Sequence, residues 1–108
     1  MPNFIFAFHG GTQPKSPEEG KAMMAAWMAW MGDIEASIVD AGAPVGMSKT
    51  VSSSGVAGDG GSNPLSGYTI VKADDIDGAV ALAKGCPIHD VDGSVEVAEL
   101  MNMSMDGK

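Results

Sequence analysis

The chain has 108 residues, enough for one domain with a modest core, and 44% of them are apolar, which excludes a disordered chain. Its formal net charge of −8 argues against nucleic-acid and anionic membrane partners, because both bind clustered Lys and Arg. The single cysteine, Cys86, makes no internal disulfide, so we expect a reducing, cytoplasmic location. No apolar run reaches the roughly 20 residues that a membrane-spanning helix needs.

The first predicted element is a strand at residues 3–9, which the pair Gly10-Gly11 ends. Its side chains are apolar on both faces, which is typical of a central strand covered on both sides. The pattern leaves open which face meets the helices. One face carries Phe4, Phe6 and Phe8, and the other carries Ile5 and Ala7.

The segment from Ser16 to Gly42 is predicted to be a long first helix. Ser16 and Glu19 form a capping-box pattern, and Pro17 occupies the first helical position, where its missing N–H costs nothing. Gly42 suits the left-handed residue after a helix end, and Pro44 prevents the helix from continuing. Large apolar side chains recur along the segment at helical spacing: Met23, Trp27, Trp30, Ile34 and Ile38.

Methionine and alanine widen this stripe until almost no polar face is left between residues 22 and 31, so the helix should be covered on more than one side. One interpretation is core packing against a sheet, together with contact to a second subunit. The other is a ligand pocket lined by Met and Trp, since methionine adapts to irregular shapes and tryptophan stacks on rings.

Three more strands and one more helix are predicted downstream, all within a single domain at residues 1–101. Asp74 or Asp75 caps the second helix. The glycine-rich segment 54–63 is interpreted as a long, flexible hairpin loop. A phosphate-binding loop is excluded, because no Gly-Lys-Ser/Thr ends the segment and no helix follows it. The strands are predicted at residues 47–53, 67–73 and 94–101, the second helix buries Ile76, Ala79, Val80 and Ala83, and residues 102–108 form a C-terminal tail.

This order of elements predicts an α+β fold of the ferredoxin-like βαββαβ type. In that sandwich both helices lie on one face of a four-stranded antiparallel sheet. Right-handed crossovers would place the first and third strands side by side and parallel, with the fourth strand beside the first. The other face of the sheet is then uncovered, and a second copy of the chain is its simplest cover, so we expect a homodimer.

In its order of motifs the chain resembles the YCII-related family, including its DGPF-type branch. The resemblance implies a ferredoxin-like fold that dimerises sheet to sheet into an α+β barrel. It also implies that most relatives have no assigned activity and that a few act on small organic molecules. The residues that carry it are Phe6-Ala7-Phe8-His9, Pro17-Glu18-Glu19, Ala41-Gly42-Ala43-Pro44, Asp59-Gly60, Gly67-Tyr68-Thr69-Ile70-Val71, Cys86-Pro87 and Val95-Glu96-Val97.

Two departures from the family pattern bear on chemistry. The branch signature Asp-Gly-Pro-Phe here reads Asp59-Gly60-Gly61-Ser62. The first-helix histidine of another branch is missing, and its Asp-Pro is replaced by Cys86-Pro87. A His–Asp catalytic pair is therefore not carried over to this chain.

His9, at the end of the first strand, is the candidate general base. The predicted topology brings the start of the last strand alongside it, so that Ser94 or Glu96 lies near. A carboxylate beside an imidazole orients the ring, and Glu96 is the candidate orienting group. The alternative is a histidine that is hydrogen-bonded at a strand end and inert.

Three further residues are candidates for ligand binding: Trp27 and Trp30 through their rings, and Lys49 through its charge. Lys49 is also interpreted as an ordinary solvent-facing lysine. No metal and no cofactor are expected, because Cys86 and the two histidines, His9 and His89, lack the tight spacing of a metal site.

Two functions are compatible with these residues. The first is an enzyme or binding protein for a small organic molecule, with a pocket between the first helix and the sheet, near His9. The second is a structural or regulatory homodimer without catalysis, since no complete catalytic constellation is present. A solvent-accessible pocket that reaches His9 favours the first function, and a filled, dry interior favours the second.

Overall fold

The computed structural model describes residues 1–101, and the predicted tail at residues 102–108 lies outside them. Short 3₁₀ turns at Glu35–Ser37 and Pro87–Val91 connect some of the elements. No helix within the described residues is long and apolar enough to cross a bilayer. The helices and strands are β1 (Asn3–Gly10), α1 (Pro17–Asp33), β2 (Ile38–Pro44), β3 (Thr50–Ser52), β4 (Gly55–Ala57), β5 (Leu65–Lys72), α2 (Ile76–Ala83) and β6 (Gly93–Glu99).

Four of the strands form one antiparallel sheet in the order β2-β5-β1-β6, and side chains from both helices enter one core on a single face of it. This confirms the predicted ferredoxin-like α+β fold. The first and third sheet strands, β1 and β5, are adjacent as predicted, but they are antiparallel and not parallel. The α1 crossover returns the chain in β2 parallel to β1, and the connection from β2 to β5 then reverses it.

The start of α1 is determined locally, as the sequence predicts. Ser16 is the N-cap, and its Oγ accepts a hydrogen bond from the Glu19 amide at 3.1 Å. Asp75 does the same for α2, accepting from the Gly78 amide at 2.8 Å. Each bond satisfies one of the free N–H groups of a helix N-terminus.

The predicted end of the first helix at Gly42 is wrong, since α1 ends at Asp33. Ile34 is buried after the helix end, and Ile38 reaches the same core from the beginning of β2. Both side chains thus continue the helical spacing although the backbone between them turns. Gly42 is left-handed as predicted, with φ of +72°, but it lies in a bulged part of β2.

The second sheet strand was predicted at residues 47–53, which is also wrong: β2 (Ile38–Pro44) takes that place. Within residues 47–53 the strand β3 pairs only with β4 in a separate two-stranded hairpin, where Val51 faces Val56. The second strand of this hairpin, β4, lies in the segment that was interpreted as a flexible loop. An isolated pair of short strands has no core of its own, and both valines are exposed.

The two faces of β1 have different environments. Phe6 is fully buried beneath the helices, and its ring stacks on Trp30 with centroids 6.1 Å apart. Ile5 pairs with Ile70 of β5 and Ala98 of β6 on the opposite, uncovered face, which we call the open face. The core beneath the helices contains Phe4, Phe6, Phe8, Trp30, Ile34, Val71, Ala73, Ala79, Ala83, Cys86 and Ile88.

Candidate functional site

A cavity of about 680 Å³ lies between α1 and the strands β2 and β5, and we call it the helix–sheet cavity. This is the location that the sequence predicts for a pocket. Its walls are formed by Met23, Met24, Trp27 and Met31 of α1, by residues 41–44 and 66–69 of the strands, and by Phe8, Gln13, Pro14, Gly20 and Ile88.

An aromatic cluster forms the inner wall of the helix–sheet cavity. Trp27 meets Phe8 edge to face, with ring centroids 5.2 Å apart, and meets Trp30 in the same way at 5.6 Å. Trp30 is 4% exposed, and its Nε1 donates to the Leu82 carbonyl at 3.0 Å. Trp27 therefore lines the cavity while Trp30 supports it from behind, as part of the core.

The cavity is apolar, and none of the lining residues within 1–101 is charged. Thr69 is buried, and its hydroxyl donates to the Ala41 carbonyl at 3.0 Å across the bulge of β2. Gln13 is exposed at the rim. Such walls favour a neutral ligand, because a charged ligand would lose its hydration without gaining a charged partner among the described lining residues.

His9 and Glu96 come together on the open face, on the other side of the sheet from the helix–sheet cavity. His9 Nε2 lies 3.1 Å from Glu96 Oε1, and His9 Nδ1 lies 3.1 Å and 3.2 Å from the carbonyls of Asn63 and Pro64. Both ring nitrogens thus face oxygen atoms that can accept a hydrogen bond. The imidazole connects the 63–64 loop to β6.

This geometry separates His9 from the helix–sheet cavity, whereas the sequence predicted a pocket near His9. A general base needs a ring nitrogen that is open to a substrate, and both ring nitrogens of His9 are within hydrogen-bond distance of protein oxygens. The catalytic roles of His9 and Glu96 remain predictions.

The other candidate residues lie apart from the cavity. Lys49 is exposed immediately before β3 and does not line it. His89 Nε2 donates to the Ala83 carbonyl, 3.0 Å away. Within residues 1–101, no three His, Cys, Asp or Glu side chains are grouped as metal ligands.

Cys86 is 3% exposed, and this burial raises the pKa of its thiol from 9.0 to about 11, while a hydrogen bond at the Ile88 backbone acts in the opposite direction. Burial is the larger of the two effects on this pKa. A thiol that stays protonated at neutral pH is a poor nucleophile. Cys86 is therefore a core residue.

The raised pKa predicts a loss of stability in alkali. Between pH 9 and 11 the thiol ionises in the unfolded chain but not in the folded one, so the unfolded state binds fewer protons and the free energy of unfolding falls as pH rises. The fall attributable to Cys86 should approach about 2 kcal/mol. Urea titrations of the wild type and Cys86→Ala at pH 9 and pH 11 measure this fall. An equal fall in the free energy of unfolding for the two proteins would contradict the prediction.

Two parts of the site were not predicted from the sequence. Residues 41–44 were assigned to a helix end, and a bulge places Ser66 in the cavity wall. The β-branched pair Ile38-Val39 was the available signal for a strand in the first case. The bulge arises from pairing between distant strands, which leaves no local pattern.

The fold and the cavity together define the class: a ferredoxin-like α+β protein with a pocket between its first helix and its sheet. No family model and no curated protein matches the chain. One solved structure that matches is 5-chloro-2-hydroxyhydroquinone dehydrochlorinase (TftG) from Burkholderia phenoliruptrix AC1100, in complex with 2,5-dihydroxybenzoquinone. It is 16% identical, with a TM-score of 0.54, over 95% of this chain and 96% of that chain. This likeness extends the fold assignment along the whole domain.

Proposed function

We propose that this protein binds a small, neutral ring compound in the helix–sheet cavity. The observation that carries the proposal is a cavity of about 680 Å³ walled by Trp27, Phe8 and several methionines, with no charged residue among the described residues of its lining. Ligand pockets usually enclose about 300–1,000 Å³ and are mainly apolar. Tryptophan and phenylalanine present flat faces and edges to a ring, and methionine adapts to its outline.

The structural neighbour supports the size and shape of this ligand. That enzyme is described in complex with 2,5-dihydroxybenzoquinone, a compound with one ring. A cavity of the present volume accepts one or two such rings. We propose binding, or binding followed by chemical transformation of the ligand, as the activity.

Replacing Trp27 with alanine should weaken binding of a ring compound about tenfold or more, because it removes an aromatic wall of the cavity. Melting temperature and intrinsic tryptophan fluorescence are measured against a panel of phenols, naphthols, hydroquinones and 2,5-dihydroxybenzoquinone. Met28→Ala is the matched control, since Met28 is 69% exposed on the same helix and does not line the cavity. A panel in which no compound shifts the wild type contradicts the proposed function.

A homodimer formed through the open face is a second part of the proposal. The register places five apolar side chains next to one another on this face, all partly exposed: Ile5, Ala7, Tyr68, Ile70 and Ala98. Polar residues surround them, with Asn3 and Lys72 at one end and His9 and Ser94 at the other. An apolar centre within a polar rim is typical of protein interfaces.

Membership of the YCII-related family, in or near its DGPF-type branch, is the third part. It is supported by the order of motifs from β1 to β6 and by a protomer fold of the kind from which dimeric α+β barrels are built. A dimer whose helix–sheet cavity binds no small molecule would favour the alternative, a structural or regulatory homodimer.

A further inference from the structure

Ser66 is the extra residue of a β-bulge. Phe8 of β1 pairs with Gly67 of β5, but the next residue, His9, pairs with Leu65, so Ser66 has no partner on β1. On its other side the Ser66 carbonyl accepts a hydrogen bond from the Val45 amide at 3.0 Å. A bulge changes the direction of a side chain relative to its neighbours, and bulges are common beside active sites.

The hydroxyl of Ser66 is buried, and its Oγ has no hydrogen-bond partner among the described residues. Leaving a buried hydroxyl unpaired is costly, and such groups are uncommon in folded proteins. Ser66 also lines two cavities: the helix–sheet cavity and a smaller one of about 360 Å³ beside Gly10 and Gly60. It therefore lies in the wall between them.

The other polar side chains of the residues that line the helix–sheet cavity are hydrogen-bonded, exposed at the rim or on the open face. Thr69 donates its hydroxyl proton to the Ala41 carbonyl, and Gln13 is exposed at the rim. The Tyr68 position belongs to the open face, where it pairs with Ala7. Ser66 is thus the lining residue with a buried polar group that is not committed within residues 1–101.

We propose that Ser66 is the polar specificity determinant of the helix–sheet cavity. Its hydroxyl donates a hydrogen bond to a carbonyl oxygen on the ring of the ligand, or forms a hydrogen bond with a hydroxyl group on that ring. The ligand class is therefore phenols, naphthols or quinones, and plain hydrocarbons are excluded. Rotation about χ1 moves Oγ between three staggered positions, so the hydroxyl can turn toward a bound oxygen. This inference rests on the proposed function of the cavity.

The test uses pairs of compounds of similar shape that differ by a hydroxyl in place of a methyl: phenol with toluene, and naphthol with methylnaphthalene. Dissociation constants are measured by tryptophan fluorescence for the wild type, Ser66→Ala, Ser66→Thr and Trp27→Ala. We expect the wild type to bind each hydroxyl compound at least tenfold more tightly than its methyl partner. Ser66→Ala should lose this preference and Ser66→Thr should keep it, since threonine retains the hydroxyl.

The outcomes distinguish the role of Ser66 in selectivity from ligand binding by the cavity. If Ser66→Ala keeps the preference while Trp27→Ala still weakens both compounds, the cavity binds ligands but Ser66 does not select them, and the inference is overturned. If the wild type binds none of the four compounds, the proposed function fails, and the inference fails with it.

A second readout needs no ligand. Removing an unpaired buried hydroxyl should leave the melting temperature of Ser66→Ala equal to or above that of the wild type. A clear fall would mean that Oγ has a structural partner in the folded chain, which would overturn the inference. Ser48→Ala is the control, because Ser48 lines the smaller cavity and not the helix–sheet cavity.

Discussion

Phe6→Lys is expected to prevent folding, whereas Ile5→Lys is expected to give a folded monomer. Phe6 is 0% exposed and stacks on Trp30, so a lysine there would place an unpaired charge in the core. Such a change costs several kcal/mol, roughly the whole stability of a small domain. Ile5 lies one residue away on the open face, where lysine meets water in the monomer but meets the proposed second copy in the dimer.

Circular dichroism and light scattering at micromolar concentration decide this pair. The wild type should have twice the 11.0 kDa mass of one chain, and Ile5→Lys should have the mass of one chain with native circular dichroism. Val56→Lys is the control, because Val56 is exposed on the β3–β4 hairpin, which is not part of the four-stranded sheet. A wild-type monomer would refute the dimer, and a folded Phe6→Lys protein would refute the assignment of the two faces.

Gly42→Ala is expected to destabilise the protein by about 3 kcal/mol or more, near the upper end for single substitutions. A Cβ at this position would overlap the Tyr68 carbonyl, and both that group and the nearby Thr69 Cα are backbone atoms that cannot move independently. The φ of +72° adds strain for any residue with a side chain. The substitution should therefore break the pairing of β2 with β5 and one wall of the helix–sheet cavity.

Thermal and urea unfolding measure this effect, with Gly46→Ala as the matched control. Gly46 follows β2 closely, and no atom lies within 4 Å of a Cβ placed there. The control should change the free energy of unfolding by no more than about 0.5 kcal/mol. Equal free energies of unfolding for the two variants would contradict the close approach of Gly42 to the Tyr68 carbonyl.

The sequence by itself determined the features that depend on a few neighbouring residues. Ser16 and Asp75 define the starts of the two helices, because an N-cap bond joins residues three apart. The alternation of apolar side chains in β1 identifies a central strand, since its period of two is a property of the local backbone. The order of elements then restricts the topology to very few choices, of which the ferredoxin-like fold is one.

The tertiary structure alone decided where α1 ends, which face of β1 is buried, and what the cavity presents to a ligand. Ile34 and Ile38 keep the helical spacing of the predicted helix at residues 16–42, although the observed helix ends at Asp33. Burial of a side chain in the core depends on where the side chain lies and not on the secondary structure of its backbone. Trp27 and Trp30 look equivalent in sequence, yet one lines the cavity and the other is buried behind it. The unpaired Ser66 results from a register shift between strands that are more than fifty residues apart, and no local pattern records a pairing of that range.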